Sequence, residues 1–157
     1  MQIRPFFEWC DHLAISDTIR ESRFLFPIIE SIHILALTVL LGMVIVFSMR
    51  LLGFGLRQRP VPDVYGAVSG LRNWALLTML ITGFLLFCSE AMKCYELPPF
   101  RAKMAALFLA ILFQYTVARS VARAKDQSRN LRSAFVGVTS LFLWFGVGVA
   151  GRAIGFY

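Results

Sequence analysis

Residues 26–37 read Phe26-Pro27-Ile28-Ile29-Glu30-Ser31-Ile32-His33-Ile34-Leu35-Ala36-Leu37, and they open an apolar run that continues to about Ser48. As a helix, this run is long enough to cross a bilayer. Glu30 and His33 lie inside it, three residues apart and therefore on one helix face. Because ionisable side chains are costly within a membrane span, this pair predicts a functional site.

The composition is that of a membrane protein rather than a soluble domain. Of the 157 residues, 58% are hydrophobic and 15 are Phe, and the mean hydropathy is +0.69. The net charge of +7 comes from basic residues that flank apolar runs instead of alternating with aromatic residues, which argues against nucleic-acid binding. The three cysteines lack the spacing of metal ligands.

Four apolar segments predict transmembrane helices at about 24–49, 71–92, 100–121 and 131–153. Each has about the 20 residues that a bilayer core of roughly 30 Å requires. The mixed composition of residues 1–23 indicates a short amphipathic segment at the membrane surface. Short connections between the spans favour an all-α, antiparallel four-helix bundle that forms one domain, residues 1–157.

Basic residues are unevenly distributed between the two ends of the predicted bundle. The connections that share one side of the membrane, 50–72 and 119–132, hold nine Lys or Arg residues and two acids, whereas the rest of the chain holds seven of each. The positive-inside rule then predicts that these connections are cytoplasmic. Both termini are expected on the outer, periplasmic side of a bacterial inner membrane.

This orientation gathers ionisable residues from all four spans in the outer half of the bundle. Glu30 and His33 come from the first span, Glu90 ends the second, Lys103 begins the third and Arg152 ends the fourth. His33 can ligate heme iron or another metal, and Lys103 and Arg152 can pair with heme propionates. Glu30 can orient a ligating imidazole or relay protons. We therefore expect a cofactor site there.

Each of these features also has a simpler interpretation. A transmembrane histidine often only hydrogen-bonds a neighbouring helix. Glu30 can pair with Lys103 or Arg152, and Lys93 can extend to the membrane interface. One face of the last helix consists of small residues, namely Gly146, Gly148, Ala150, Gly151 and Gly155. Such a face is typical of close helix packing, within the protomer or in a homo-oligomer or larger membrane complex.

Five runs of sequence resemble an uncharacterised family of bacterial four-helix membrane proteins. They are residues 21–33, Met49-Arg50-Leu51-Leu52-Gly53, Thr82-Gly83-Phe84-Leu85-Leu86-Phe87, Phe100-Arg101-Ala102-Lys103, and Leu143-Trp144 with Gly151-Arg152. The resemblance covers nearly the whole chain, and it implies the fold without implying an activity. The family has an acid before the Arg-Leu-Leu-Gly run, where this chain has Met49.

More distantly, the layout is similar to HemJ-type protoporphyrinogen oxidases and to CopD-type copper-resistance membrane proteins. His33 and Lys103 match the intramembrane His and the later Lys of the HemJ pattern, and Arg50 resembles the Arg that ends a HemJ-type helix. Gln114-Tyr115 stands near the place of the second HemJ-type histidine. The resemblance implies heme binding with quinone-linked redox chemistry, or copper handling.

The leading hypothesis is therefore a membrane-embedded redox protein that binds heme b through His33, with a quinone as its electron partner. A copper or small-ion transporter or binding module is one alternative, and a structural subunit of a larger membrane complex is another. The sequence leaves open the substrate, the second axial ligand of the heme and whether the protein is an enzyme. It also leaves open the states of Cys10, Cys88 and Cys94.

Overall fold

The computed structural model describes residues 4–56, 58–124 and 131–154, and within them the chain is helical with no strand. The helices are α1 (Arg4–Asp11), α2 (Ala14–Glu21), α3 (Leu25–Leu52), α4 (Val61–Ser89), α5 (Ala91–Glu96), α6 (Pro98–Phe113), a π-helical turn (Gln114–Ala118), α7 (Arg119–Arg123) and α8 (Leu131–Ile154). Gly155 and residues 125–130 of the second basic connection lie outside the described residues.

Four helices are long and apolar enough to cross a membrane: Leu25–Leu52, Val61–Ser89, Pro98–Arg123 and Leu131–Ala153. The third runs without a break through α6, the π-helical turn and α7. Backbone groups in a bilayer must be satisfied internally, and these helices do so. The predicted all-α, four-helix membrane bundle is confirmed.

We call the end of the bundle that carries α1, α2 and α5 the terminal end, and the opposite end the loop end. α3 packs along α4 and along α8, and α6 packs along α8. The backbones of α4 and α6 make little or no contact, and the backbone of α4 comes close to the third span at α7. α4 and α6 therefore separate from the loop end toward the middle of the bundle. At the terminal end, the stacked rings of Phe87 and Phe100 bridge them, with centroids 5.4 Å apart.

The loop end is shaped by a glycine that stops α3. Gly53 adopts a left-handed conformation (φ 78°), and its N–H donates to the carbonyl of Arg50. The N–H of Phe54 donates to the carbonyl of Met49, which completes a typical glycine-terminated helix end. Arg50 Nε donates to the carbonyl of Arg59 at 2.8 Å, so this side chain braces the connection to α4.

α4 begins at Val61, directly after Pro60, whereas the sequence predicted the second span to begin near Leu71. Pro62 lies in the first turn, where a missing N–H costs nothing because no acceptor precedes it. The earlier start means that Arg72, counted with the loop charges in the sequence, is a helical residue. Its side chain is buried, with 2% of its surface exposed.

Two apolar clusters fill the bundle. The terminal-side cluster contains Ala36, Leu40, Val44, Ala75, Leu76, Met79, Ala110, Trp144 and Val147. The loop-side cluster contains Phe47, Leu51, Val64, Val68, Ala118, Ala122 and Val136. All four spans contribute to both clusters, at the spacings of three or four residues that keep side chains on one helix face.

The N-terminal segment predicted to be amphipathic forms two short helices, and α1 packs across α5 and the end of α4. The Phe7 ring contacts Phe87 and Tyr95, with centroids 5.2 Å away in both cases. Cys10 is fully buried, whereas the neighbouring Trp9 is 59% exposed. α1 thus covers the terminal end with its apolar face.

Candidate functional site

His33 lies about two turns into α3 and contacts α4 through one ring nitrogen. Nδ1 is 2.9 Å from Thr82 Oγ1. The Thr82 hydroxyl donates its own proton to the carbonyl of Thr78 at 2.7 Å, so its oxygen accepts from the imidazole. If the Thr82 hydroxyl keeps its proton on the Thr78 carbonyl, a neutral imidazole carries its proton on Nδ1 and a lone pair on Nε2. The helix–helix hydrogen bond expected of a transmembrane histidine is present.

Gly83 allows the imidazole to approach α4 this closely. A Cβ at Gly83 would lie 3.0 Å from His33 Cε1 and 3.5 Å from Nδ1. A side chain there would displace the ring from Thr82. Thr82 and Gly83 were not singled out as site residues by sequence reasoning. In the sequence they stood out only as the first two residues of one of the runs that carry the family resemblance.

Lys103 lies in the first turns of α6 and belongs to the same region as His33. The two side chains are close enough to interact electrostatically. Lys103 Cε and Nζ each lie 3.5 Å from the position that a Cβ of Gly151 would occupy. The glycine therefore leaves room on α8 for the stem of the lysine. The structure brings two of the predicted site residues together in the terminal half of the bundle.

The other predicted site residues are placed differently. Glu30 is exposed on α3, and no described residue hydrogen-bonds or ion-pairs with its carboxylate. Thr82, and not Glu30, orients the imidazole. Glu90 caps α4 at the terminal end, with its carboxylate 4.0 Å from Lys93 Nζ. Arg152 is exposed in the last turn of α8, next to Gly151.

Arg50, the remaining predicted candidate, belongs to the loop end. It lies 17 residues beyond His33 in α3, which is about 25 Å along the helix axis. Its guanidinium braces the α3–α4 connection through the carbonyl of Arg59. Arg50 therefore has a structural role at a distance from His33.

Cys10, Cys88 and Cys94 are all free and buried at the terminal end. Cys10 and Cys88 share a small apolar cluster with Ala91, and their thiols interact. Cys94 lies in α5, outside the four spans, and its electrostatic neighbours are Glu90, Lys103 and Lys93. Burial, together with the Glu90 carboxylate, raises the pKa of the Cys94 thiol to about 11.

Cys94 is expected to resist alkylation at neutral pH, because only the thiolate reacts. A rise in pKa from 9.0 to about 11 lowers the thiolate fraction at pH 8 by about 100-fold. Iodoacetamide labelling, quantified by peptide mass spectrometry, should accelerate about tenfold per pH unit up to about pH 10. Glu90→Gln should speed the reaction and Lys93→Gln should slow it, because the two charges act on the thiol with opposite sign. Effects of the same sign would contradict this account.

Comparison with known proteins assigns the chain to a family. The model of DUF6644, a family of unknown function, matches residues 6–157, and the chain belongs to that family. No curated protein and no solved structure matches it. The match is consistent with the resemblance to an uncharacterised family that the sequence indicated. The more distant similarity to HemJ-type and CopD-type proteins stays a prediction.

Proposed function

We propose that this member of a family of unknown function is a membrane-embedded redox protein that binds heme b through His33. The observation that carries the proposal is the hydrogen bond from His33 Nδ1 to Thr82 Oγ1 at 2.9 Å. Histidines that ligate metals usually donate their other ring N–H in this way, which fixes the tautomer and the ring orientation. The same arrangement at His33 would leave the lone pair of Nε2 for the heme iron.

The charged residues near His33 also suit a bound heme. Lys103 supplies a cation close to His33, and Arg152 follows the glycine against which Lys103 packs. These two side chains would neutralise the propionate groups. A bound heme b supplies one-electron redox chemistry. His33 would bind the iron through Nε2, and Thr82 would hold the ring in position.

The separation of α4 and α6 supports a membrane-soluble electron partner, and we propose a quinone. Their backbones make little or no contact, and we propose that a flat, apolar molecule enters between them from the bilayer. The positive-inside rule supports an inner-membrane orientation with both termini outside, because the loop end carries Arg50, Arg59, Arg119 and Arg123. In this orientation His33 lies in the outer half of the membrane.

An absorbance spectrum of the purified protein tests the proposal. With full heme supply during expression, the wild-type protein should show a Soret band that His33→Ala abolishes, because the only intramembrane imidazole is lost. His12→Ala is the matched control, since His12 is exposed between α1 and α2, and it should keep the band. Absence of the band from the wild-type protein, or its persistence in His33→Ala, would contradict heme ligation by this residue.

The two alternatives have different support. A copper site would need further ligands, because the described residues contain no group of three His, Cys, Asp or Glu side chains that could hold a metal ion. A subunit that packs through the fourth span is favoured by Gly146 and Gly148, whose missing side chains would meet nothing within 4 Å. If no heme is bound, metal analysis would test the first alternative and cross-linking the second.

A further inference from the structure

A second polar region lies in the middle of the bundle, apart from His33. Ser48 on α3, Arg72 on α4, Gln114 in the π-helical turn and Ser140 on α8 are each no more than 2% exposed. We call these four residues the polar layer. Every spanning segment contributes one of them, and sequence reasoning had assigned none of them to a site.

The four side chains lie at one level, between the two apolar clusters. On α4, Arg72 stands between Val68 of the loop-side cluster and Leu76 of the terminal-side cluster. In the third span, Gln114 stands between Ala118 and Ala110 in the same way. Intervals of four residues keep each set on one helix face.

The same pattern holds on the other two helices. On α8, Ser140 stands between Val136 of the loop-side cluster and Trp144 of the terminal-side cluster. On α3, Ser48 stands between Val44 of the terminal-side cluster and Leu51 of the loop-side cluster, and its carbonyl oxygen lies 3.1 Å from the position that a Cβ of Gly137 would occupy. Ser48 and Ser140 therefore both lie near the contact between α3 and α8.

Direct contacts connect Arg72 to the third span. The guanidinium carbon lies 4.9 Å from the ring centroid of Tyr65 and 5.8 Å from that of Tyr115, which follows Gln114. Tyr115 in turn donates a hydrogen bond to Asn73 Oδ1 at 2.9 Å. Arg72 Nη2 donates to the same Asn73 oxygen at 3.2 Å and to the Tyr65 hydroxyl at 3.4 Å.

Most polar atoms of the layer have no hydrogen-bond partner among the described residues. They are Arg72 Nε and Nη1, Gln114 Nε2 and Oε1, the hydroxyls of Ser48 and Ser140, and the neighbouring Trp144 Nε1. Arg72 forms no ion pair with any described carboxylate. A buried cation without a counter-charge is costly, most of all inside a membrane.

The chemistry of the unpaired atoms is dominated by donors. A guanidinium and an indole N–H only donate, an amide nitrogen donates, and two hydroxyls can do so. The π-helical turn at Gln114 is a second, independent indication, because such turns occur frequently at functional sites. It changes the register of the third span at the residue that completes the layer.

We propose that the polar layer binds an oxyanion, a carboxylate or phosphate group whose charge Arg72 balances. Arg72 Nε and Nη1 donate to its oxygens, and Gln114, Ser48, Ser140 and Trp144 complete the shell. The layer lies ten residues from Thr82 on α4, or about 15 Å along the axis. Its occupancy therefore does not depend on a ligand at His33. The group can come from an amphipathic molecule in the bilayer or from a free anion.

Thermal unfolding of the full chain in a non-ionic detergent distinguishes these sources. The probes are sodium oleate, oleyl alcohol as its neutral counterpart, and inorganic phosphate. Saturable stabilisation by oleate but not by oleyl alcohol assigns the layer to a membrane-borne carboxylate, and stabilisation by phosphate assigns it to a free oxyanion. Arg72→Gln should weaken the binding of whichever anion stabilises the wild-type protein by more than about tenfold. Arg119→Gln, which removes an exposed cation at the loop end, should not.

Without added anion, Arg72→Gln is expected to unfold at a higher temperature than the wild-type protein, and the effective anion should reverse this order. If Arg72→Gln does not fold, Gln114→Leu replaces it, with Thr116→Val on the exposed side of the same turn as its control. A wild-type protein that responds to neither anion, or whose only response is an equal one to oleate and oleyl alcohol, would overturn the proposal. So would an anion response that Arg72→Gln or Gln114→Leu leaves intact.

Discussion

Gly137→Leu is expected to lower the stability of the bundle severely. A Cβ at Gly137 would lie 3.1 Å from the carbonyl oxygen of Ser48 and 3.3 Å from side-chain atoms of Leu51 and Leu52. The oxygen belongs to the backbone of α3 and cannot move unless that helix moves. Extra methylene groups in a packed interior typically cost about 1–3 kcal/mol, and a leucine at this helix crossing adds four carbons.

Gly146→Leu provides the matched control, because it makes the same substitution on the same helix. A Cβ at Gly146 would meet nothing within 4 Å, and leucine favours a helix over glycine by roughly 1 kcal/mol. We expect this variant to unfold in detergent at the same temperature as the wild-type protein or slightly higher. Equal losses of stability in the two variants would show that α3 and α8 do not approach each other at Gly137.

Thr82→Val should weaken heme binding while leaving the fold intact. Valine has nearly the shape of threonine but cannot accept the proton of His33 Nδ1, so the ring loses its orientation and its preferred tautomer. Loss of such a supporting hydrogen bond typically costs 10–100-fold in metal affinity. Heme titration of the apoprotein, followed at the Soret band, measures the change. Thr82→Ser, which retains the hydroxyl, should bind nearly as well as the wild-type protein.

Thr38→Val separates this effect from the general loss of a hydroxyl in a spanning helix. Thr38 donates to the carbonyl of Ile34 at 2.9 Å, as Thr82 donates to that of Thr78 at 2.7 Å. Thr38 is exposed on α3, away from the imidazole. We expect Thr38→Val to bind heme like the wild-type protein. Identical affinities in Thr82→Val and Thr38→Val would remove Thr82 from the site.

Hydropathy was sufficient to predict the bundle, because a spanning helix needs about 20 apolar residues and this requirement is visible in any window of the sequence. The ends of the helices were less predictable. α4 continues to Val61 because Pro60 and Pro62 favour a helix start. The polar residues that follow them, such as Asp63, resemble a loop in composition.

The pairing of side chains could be predicted only in part. His33 and Lys103 stood out because charge is rare in a membrane span. Thr82 did not, since threonine commonly satisfies itself on its own helix. The sequence did not indicate a buried role for Arg72, because a basic residue near the end of an apolar run normally sets the orientation in the membrane. Its burial depends on the packing of the other spans around α4, which hydropathy does not encode.

The sequence also did not predict which glycines make close contacts between helices. The sequence drew attention to the small-residue face at the end of α8, but Gly146 and Gly148 meet nothing within 4 Å in the protomer. The close contacts are instead made at Gly83, against His33, and at Gly137, against α3. A lone glycine becomes a contact point only when the partner helix is known, and in a bilayer the hydrophobic effect does not specify that partner.

The entry route proposed between α4 and α6 makes the membrane the compartment that supplies the protein with ligands. A molecule that enters between these helices comes from the acyl-chain phase, where lipophilic solutes are concentrated and diffuse in two dimensions. Occupancy then follows the partition coefficient and the lipid composition rather than the aqueous concentration. A short apolar tail on a ligand therefore raises its effective concentration at this opening without any added contact to the protein.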